Sequence, residues 1–224
     1  MNRPYVICHM MMSLDGRIDC KMTEDLPGDN EYYDTLNSYN YDATLNGKVT
    51  ALMECASGTY KENKHTNVNK ELVSNKIKSK NIEIYVDTKG TLTWDNYDNL
   101  NGLLIILSES TSIEYLSYLD SLNISYIVTG KEHIDLNKAL DILYNQFYIK
   151  TLMVLGGGNI NAGFLKINAI DEISICLGAG IDGRKNQVAL FDGLPLDYPV
   201  TKLKLISVKT YECGTIWIKY KTIK

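Results

Sequence analysis

The chain has 224 residues, of which 45% are hydrophobic and 22% charged, a composition typical of a folded globular protein and unlike that of a disordered one. Its net charge of −4 disfavours nucleic acid and anionic membranes as partners, so an anionic ligand would need a local site. The five Cys include no CxxC pair, and none lies at ligand spacing from a His. We therefore predict free thiols, no metal site and a cytoplasmic protein.

Short apolar runs, several of them apolar on both faces, predict the strands of a largely parallel sheet. In chain order they are Tyr5–Met12, Asp42–Leu45, Ile82–Val86, Leu103–Leu107, Ile124–Val128 and Thr151–Leu155. The longest purely aliphatic run, Leu103–Leu107, is far shorter than the roughly 20 residues that span a bilayer. We therefore expect no membrane partner.

Amphipathic segments between the strands predict helices. They run from Asp29 to about Tyr39, onward from Gly47, and over Asn67–Lys80, Ser112–Leu122 and Leu136–Phe147. This alternation predicts βαβ units and an α/β fold.

The C-terminal part has a different pattern. A strand, Asp171–Leu177, is followed by the Gly-rich loop GAGIDGRKN. Lys202–Tyr211 and Thr215–Tyr220 then alternate apolar and polar residues around Cys213–Gly214, which predicts an antiparallel hairpin. With neither linker nor repeat in the sequence, we expect a single domain over residues 1–224.

The sharpest local motif is LMVLGGGNINAGFL, residues 152–165. A buried strand ends in Gly156, Gly157 and Gly158, and Asn159 then opens a helix. Glycines let a ligand approach the backbone, and a helix N-terminus offers unpaired N–H groups, so the motif suits a pyrophosphate. The alternative is a tight strand-to-helix turn without a ligand. The motif is not GxGxxG, and the acidic residue of a Rossmann fingerprint is missing.

Two further turns could carry chemistry. DATLNGKVT, residues 42–50, is a strand that runs into Gly47 and a helix start, where Lys48 supplies charge and Thr50 a hydroxyl for a second phosphate. MSLDGRI, residues 12–18, follows the first strand with an Asp15–Gly16 turn. From pattern alone, this last turn ends a strand and does nothing more.

In order along the chain, these motifs resemble a known family. MSLDGRI after an N-terminal strand resembles the opening of the riboflavin-biosynthesis reductases, which are the C-terminal domain of the bifunctional deaminase–reductase and its stand-alone relatives. NGKVT and VLGGGNI resemble the two NADPH-binding turns of the wider dihydrofolate-reductase-like superfamily, and IYVDTKGTLTW and AIDE resemble two of its strand motifs. The resemblance spans about Tyr5 to Phe191. It implies a three-layer α/β fold with a mostly parallel, mixed central sheet, helices on both faces and a C-terminal antiparallel hairpin.

The resemblance also implies a cofactor and the residues that hold it. Gly47 and Thr50 would face the phosphates of NADPH, and Lys48 would favour its 2′-phosphate. Thr88 would line the adenosine side, and Met12 and Ile18 would flank the nicotinamide. The pyrophosphate would bind at the glycine turn and the following helix start, namely Gly156, Gly157, Gly158, Asn159 and Ile160.

On the substrate side the resemblance implies a small phosphorylated heterocycle, namely a ribosylamino-pyrimidine phosphate that is reduced to its ribitylamino form. Asp29 resembles a substrate-facing Asp of dihydrofolate reductases, and the alternative is a helix N-cap. Glu54 aligns roughly with an Asp of the riboflavin enzymes. Family members commonly form homodimers, and the apolar hairpin Leu203–Ile218 is the expected contact.

The chain departs from the family at two places. Leu155 stands where the riboflavin reductases carry a substrate-facing Glu, and the stretch ALMECASGTYKENKH lacks their Arg residues. An apolar residue there would weaken binding of a polar substrate. Four alternatives therefore stay open: a reductase of the family with another substrate, one that binds the substrate phosphate through Lys61, Lys64 or Lys185, a pterin or folate reductase, and a member that binds a dinucleotide without turnover.

Overall fold

A computed structural model describes residues 2–61 and 66–224 of the chain. The strands are β1 (Tyr5–Met12), β2 (Ala43–Gly47), β3 (Gly58–Thr59), β4 (Leu72–Ser74), β5 (Ile82–Val86), β6 (Leu92–Thr93), β7 (Leu103–Leu107), β8 (Ser125–Val128), β9 (Thr151–Val154), β10 (Glu172–Leu177), β11 (Leu203–Thr210) and β12 (Ile216–Thr222). The helices are α1 (Cys20–Glu24), α2 (Asp29–Asn37), α3 (Lys48–Glu54), α4 (Ile113–Ser121), α5 (Leu136–Gln146) and α6 (Gly158–Lys166). In this described part, none of the helices is long and apolar enough to cross a membrane.

The chain divides into two compact units, and each is built from two stretches of sequence. Unit 1 comprises Met1–Pro4 and Asp42–Leu152, and unit 2 comprises Tyr5–Tyr41 and Met153–Lys224. Whether the chain folds as the single domain expected from its sequence stays a prediction.

Unit 1 contains a mostly parallel sheet. Strands β2, β5, β7 and β8 pair in that order and all run parallel, and β4 adds to β8 in the antiparallel direction. All five residues of β7, LLIIL, are buried, as expected for a strand that is covered on both faces. The core beneath it is aromatic, with Trp94 and Tyr115 both completely buried.

Unit 2 contains a mixed sheet. Strand β1 runs parallel to β10, and β12 lies antiparallel to β10 on its other side. The last two strands, β11 and β12, form the predicted C-terminal antiparallel hairpin. The mixed α/β architecture predicted from the sequence is therefore confirmed.

The predicted helix Asn67–Lys80 is wrong. Its backbone donors bond to other elements, since Val68 N–H donates to Thr111 O at 2.9 Å and Lys76 N–H to the Ser125 hydroxyl at 2.8 Å. Residues 72–74 form strand β4 at the edge of the unit 1 sheet. The apolar residues whose spacing predicted a helix are only partly buried as a set, since Val68 is 8% exposed but Val73 is 38% exposed.

Candidate functional site

The NGKVT turn lies at the end of β2 in unit 1. Gly47 is the last residue of β2 and the N-cap of α3, and as a glycine it has no side chain that could cap this helix. Lys48 is exposed and Thr50 half-buried in the first turn, whereas Glu54 is an exposed residue at the helix end. The turn therefore presents a cation and a hydroxyl close to uncapped backbone N–H groups.

Thr88 lies in the loop that follows β5, two residues after the strand ends at Val86. The buried Asp87 shapes this loop, because its carboxylate accepts the backbone N–H groups of Thr91 and Leu92. The Thr88 carbonyl oxygen accepts both the N–H and the hydroxyl of Ser108, at 2.9 and 2.8 Å. The half-buried Thr88 side chain is thus held on a fixed backbone.

The three glycines after β9 in unit 2 have different surroundings. Gly156 has φ +98°, and a Cβ built on it would lie 2.6 Å from Met10 Cε. A Cβ on Gly158 would lie 2.3 Å from the carbonyl oxygen of Ala189. A Cβ on Gly157 would have no heavy atom of the described chain within 4 Å. Positions 156 and 158 therefore require glycine because other parts of the protein pack against them. Of the three, only Gly157 leaves open space for a ligand.

Helix α6 begins at Gly158, one residue before the predicted start at Asn159. Gly157 is its N-cap and, as a glycine, has no side chain that could cap the helix. Asn159 is exposed and Ile160 half-buried in the first turn. First-turn N–H groups next to the open face of Gly157 suit an anionic oxygen, so these residues fit the pyrophosphate expected from the sequence.

Met12 and Ile18 lie at the two ends of a tight loop in the same unit. Met12 ends β1 and is half-buried, whereas Ile18 is 8% exposed. The loop is closed by two hydrogen bonds, from Ser13 N–H to Arg17 O at 3.0 Å and from Arg17 N–H to the Ser13 hydroxyl at 3.1 Å. MSLDGRI thus forms a fixed structure as well as ending a strand.

Residues 178–192, which we call the bridging segment, contact both of these motifs. Arg17 forms an antiparallel bridge with Ala189, and Leu190 N–H donates to Gly16 O at 3.1 Å. On the other side, the Asn161 amide donates to Leu190 O at 2.8 Å. Residues 178–186 are predicted only as a Gly-rich loop. The loop's role in bridging the two motifs is not visible in the sequence, because its partners are distant along the chain.

The substrate-side candidates also lie in defined positions. Asp29 is an exposed first-turn residue of α2, and the N-cap is Gly28 at φ +111°, so the N-cap alternative for Asp29 is wrong. Gly28 is required there because a Cβ would lie 2.1 Å from the Thr215 hydroxyl oxygen. Leu155 packs on the apolar cluster that contains Ile7 and Leu36. It is therefore part of the packing of unit 2.

The predicted site residues fall into two sets. Unit 1 holds Gly47, Lys48, Thr50, Glu54 and Thr88. Unit 2 holds Met12, Ile18, Asp29, Gly156, Gly157, Gly158, Asn159 and Ile160. Of the lysines considered for a substrate phosphate, Lys61 and Lys185 are both exposed, and Lys64 lies outside the described residues.

Comparison with known proteins gives a consistent result. Residues 4–217 match the family model "RibD C-terminal domain". Over 226 residues the chain is 24% identical to the 2,5-diamino-6-ribosylamino-4(3H)-pyrimidinone 5′-phosphate reductase of Methanothermobacter thermautotrophicus, covering 99% of each. The protein of the same name from Aquifex aeolicus is 26% identical over 198 residues, covering 86% of this chain and 84% of its own.

Solved structures resemble the fold over almost the whole chain. A pyrimidine reductase-like protein of Corynebacterium diphtheriae superposes with a TM-score of 0.76 at 16% identity, covering 99% of this chain and 92% of its own. The riboflavin biosynthesis reductase Rib7 of Saccharomyces cerevisiae gives a TM-score of 0.65 at 17% identity, covering 99% and 90%. The predicted dihydrofolate-reductase-like fold is confirmed.

Proposed function

Because the chain belongs to the RibD C-terminal domain family, we propose that it is an NADPH-dependent reductase of riboflavin biosynthesis. Its substrate would be the one in its relatives' names, a ribosylamino-pyrimidinone 5′-phosphate, reduced to the ribitylamino compound. NADPH, when bound, supplies the hydride. The protein's task is to bind and orient the two molecules and to keep water away from them.

The open face of Gly157 at the uncapped start of α6 is the observation that carries this proposal. Gly156, Gly157 and Gly158, with Asn159 and Ile160, would hold the cofactor pyrophosphate through backbone N–H groups. The lack of a side chain at Gly156 and Gly158 has a further effect, because it lets the turn pack against Met10 and Ala189.

The remaining cofactor residues follow from the family resemblance. Lys48 would pair with the 2′-phosphate, which NADH lacks, and its exposure leaves the ammonium free to reach a phosphate. Gly47 and Thr50 would face the phosphates, and Thr88 would line the adenosine side. Met12 and Ile18 would flank the nicotinamide.

The substrate half of the proposal rests on fewer residues. Asp29 and Glu54 are the proposed acidic groups, and both are exposed in short helices. The Leu155 side chain packs on Ile7 and Leu36, so the pyrimidine would receive no side-chain hydrogen bond at this position. Lys61 or Lys185 would then contact the phosphate.

We further propose that the protein is a cytoplasmic homodimer. All eight residues of β11 are exposed, including Leu205 and Val208, each at 53%. Apolar side chains on an edge strand favour pairing with a second chain.

The test is a titration of the purified protein with NADPH and, separately, with NADH, followed by quenching of Trp217 fluorescence and by thermal stabilisation. We expect NADPH to bind more tightly than NADH. Oxidation of NADPH on addition of the ribosylamino-pyrimidinone phosphate would then establish turnover. If neither nucleotide binds, the reductase proposal is wrong; if NADPH binds but the pyrimidine is not reduced, only the substrate is wrong.

A further inference from the structure

Asp15 joins the Met12–Ile18 loop to the bridging segment. Its carboxylate accepts the Ser13 hydroxyl at 2.6 Å and the backbone N–H groups of Asp182 and Gly183, both at 3.0 Å. These bonds hold the pKa of Asp15 well below its ordinary value, with the Ser13 hydroxyl the largest cause. The Asp15 side chain is 32% exposed, and its Oδ2 also lies 4.0 Å from Arg17 Nε, so the carboxylate acts through the three hydrogen bonds and this ion pair.

A second connection lies beside it. The Arg184 guanidinium binds the Asp182 carboxylate, and its Nη2 donates to Asp19 Oδ2 at 2.8 Å. Only three of the 23 cationic residues of the chain are Arg, and two of these, Arg17 and Arg184, lie at this place. The Arg17 Nη1 donates to Gln187 O at 2.6 Å. The other cationic residues of the chain, apart from Arg3, are Lys. An Arg suits position 184 because its planar guanidinium can donate to two carboxylates at once, those of Asp182 and Asp19.

The bridging segment carries this connection onward to the glycine turn. Its later residues touch the start of α6: Asp192 N–H donates to Gly158 O at 3.2 Å, and Leu190 O accepts from Asn161. Ala189 O occupies the space that a Cβ on Gly158 would need. A continuous set of contacts thus leads from Asp15 through the bridging segment to the residues that begin α6.

We propose that Asp15 is a positioning residue, which fixes the bridging segment at Asp182 and Gly183 and thereby sets the position of the glycine turn at Gly158. The inference rests on the proposed function, in which that turn holds the cofactor pyrophosphate. Misplacing a binding group costs affinity even when the fold is intact. Asp15 would therefore affect cofactor binding more than it affects stability.

The first test measures cofactor binding in Asp15→Ala, Asp15→Asn and the control Asp34→Ala, which removes an exposed carboxylate from α2. We expect Asp15→Ala to raise the Kd and KM for NADPH roughly tenfold with a smaller effect on kcat, because the turn is misplaced before chemistry begins. Asp15→Asn keeps one acceptor oxygen and should lie between Asp15→Ala and the wild type. An unchanged Kd in Asp15→Ala, with Asp34→Ala also unchanged, would overturn the inference.

The second test needs no cofactor and therefore separates this inference from the proposed function. Hydrogen–deuterium exchange of the free protein should be faster in Asp15→Ala than in the wild type over residues 178–192 and also over residues 156–161. Faster exchange confined to residues 182–184 would mean a local role only and would overturn the inference. If the wild type binds neither nucleotide, the proposed function fails, and the exchange result still decides the role of Asp15.

Discussion

His9 stacks on Tyr32 in unit 2, with ring centroids 4.8 Å apart and planes inclined by 17°, and its Nε2 faces the Tyr32 carbonyl oxygen at 3.3 Å. Because that carbonyl oxygen can only accept, His9 Nε2 carries a proton. The Ser174 hydroxyl lies 2.8 Å from His9 Nδ1 and accepts a hydrogen bond from Trp217 Nε1 at 2.8 Å. Burial disfavours the charged imidazolium, so His9 is neutral with its proton on Nε2.

Stability should depend on pH through His9. Burial lowers its pKa to about 4, against an ordinary value of 6.5. The folded state disfavours the charged form of His9. The contribution of neutral His9 to stability is therefore fully present above the unfolded pKa of about 6.5 and is lost as the pH falls towards 4. We expect the free energy of unfolding to fall by roughly 2 kcal/mol from pH 7 to pH 5 on this account.

Urea denaturation at the two pH values measures this loss, with variants at two histidines as comparison. His9→Gln should be less stable at pH 7 but should lose less stability on acidification than the wild type. His133→Gln removes an exposed histidine and should show the wild-type pH dependence. Equal acid sensitivity in His9→Gln and the wild type would contradict the assignment.

The glycine turn offers a matched pair of substitutions. Gly157 has φ −69° and ψ −170°, which an alanine can adopt, and a Cβ there meets no atom of the described chain within 4 Å. Gly157→Ala should therefore leave the melting temperature unchanged and weaken NADPH binding about tenfold, or about 1.4 kcal/mol. Gly158→Ala would collide with Ala189 O and should cost roughly 1–3 kcal/mol of stability.

Thermal melts without ligand, followed by NADPH titration, separate the two effects. A Gly157→Ala protein that binds NADPH as tightly as the wild type would mean that the open face of this turn does not contact the cofactor.

Lys48→Ala should reduce the preference for NADPH over NADH. The lost contact with the 2′-phosphate predicts about tenfold weaker NADPH binding, while NADH binding stays the same. Because Lys48 is exposed, the melting temperature of the free protein should not change. Titration with both nucleotides checks this, and Lys70→Ala, which removes another exposed lysine of unit 1, should retain the wild-type preference.

If the exposed strand β11 forms the dimer contact, a charged substitution on it should weaken dimer formation. Val208→Lys places a charge among apolar edge residues, so it should convert the proposed homodimer into monomers without loss of fold. Light scattering after size-exclusion chromatography measures the mass directly. Ser207→Lys adds the same charge at a neighbouring exposed polar position and should disturb assembly less. A wild-type protein that is already monomeric at high concentration would contradict the dimer.

The limits of three strands were predictable from the sequence. Tyr5–Met12, Ile82–Val86 and Leu103–Leu107 begin and end at the predicted residues. Each is a short, mainly apolar run with polar residues or glycine nearby. The segment Asn67–Lys80 failed because helical spacing of apolar residues says nothing about what they pack against, and here most of the face remains partly exposed.

The structural positions of the candidate site residues were predictable only where the motif is local in sequence. The strand-to-helix turns at Gly47 and at Gly156–Gly158 were predicted from strand, glycine and helix signals within a few residues. The bridging segment could not, since Ala189 meets Arg17 and Gly158 only after the chain has folded. The N-cap at Gly28 was missed for the same reason, because its requirement for glycine comes from Thr215, far along the chain.

The division of unit 2 into two stretches has a consequence during synthesis on the ribosome. Strand β1 is made before residues 42–152 of unit 1, whereas its parallel partner β10, which pairs Ile7 with Glu172, is made after them. Unit 1 is nearly continuous in sequence and can begin to fold while β1 is still without that partner. We therefore expect the apolar β1 to be the segment of the nascent chain most in need of a chaperone.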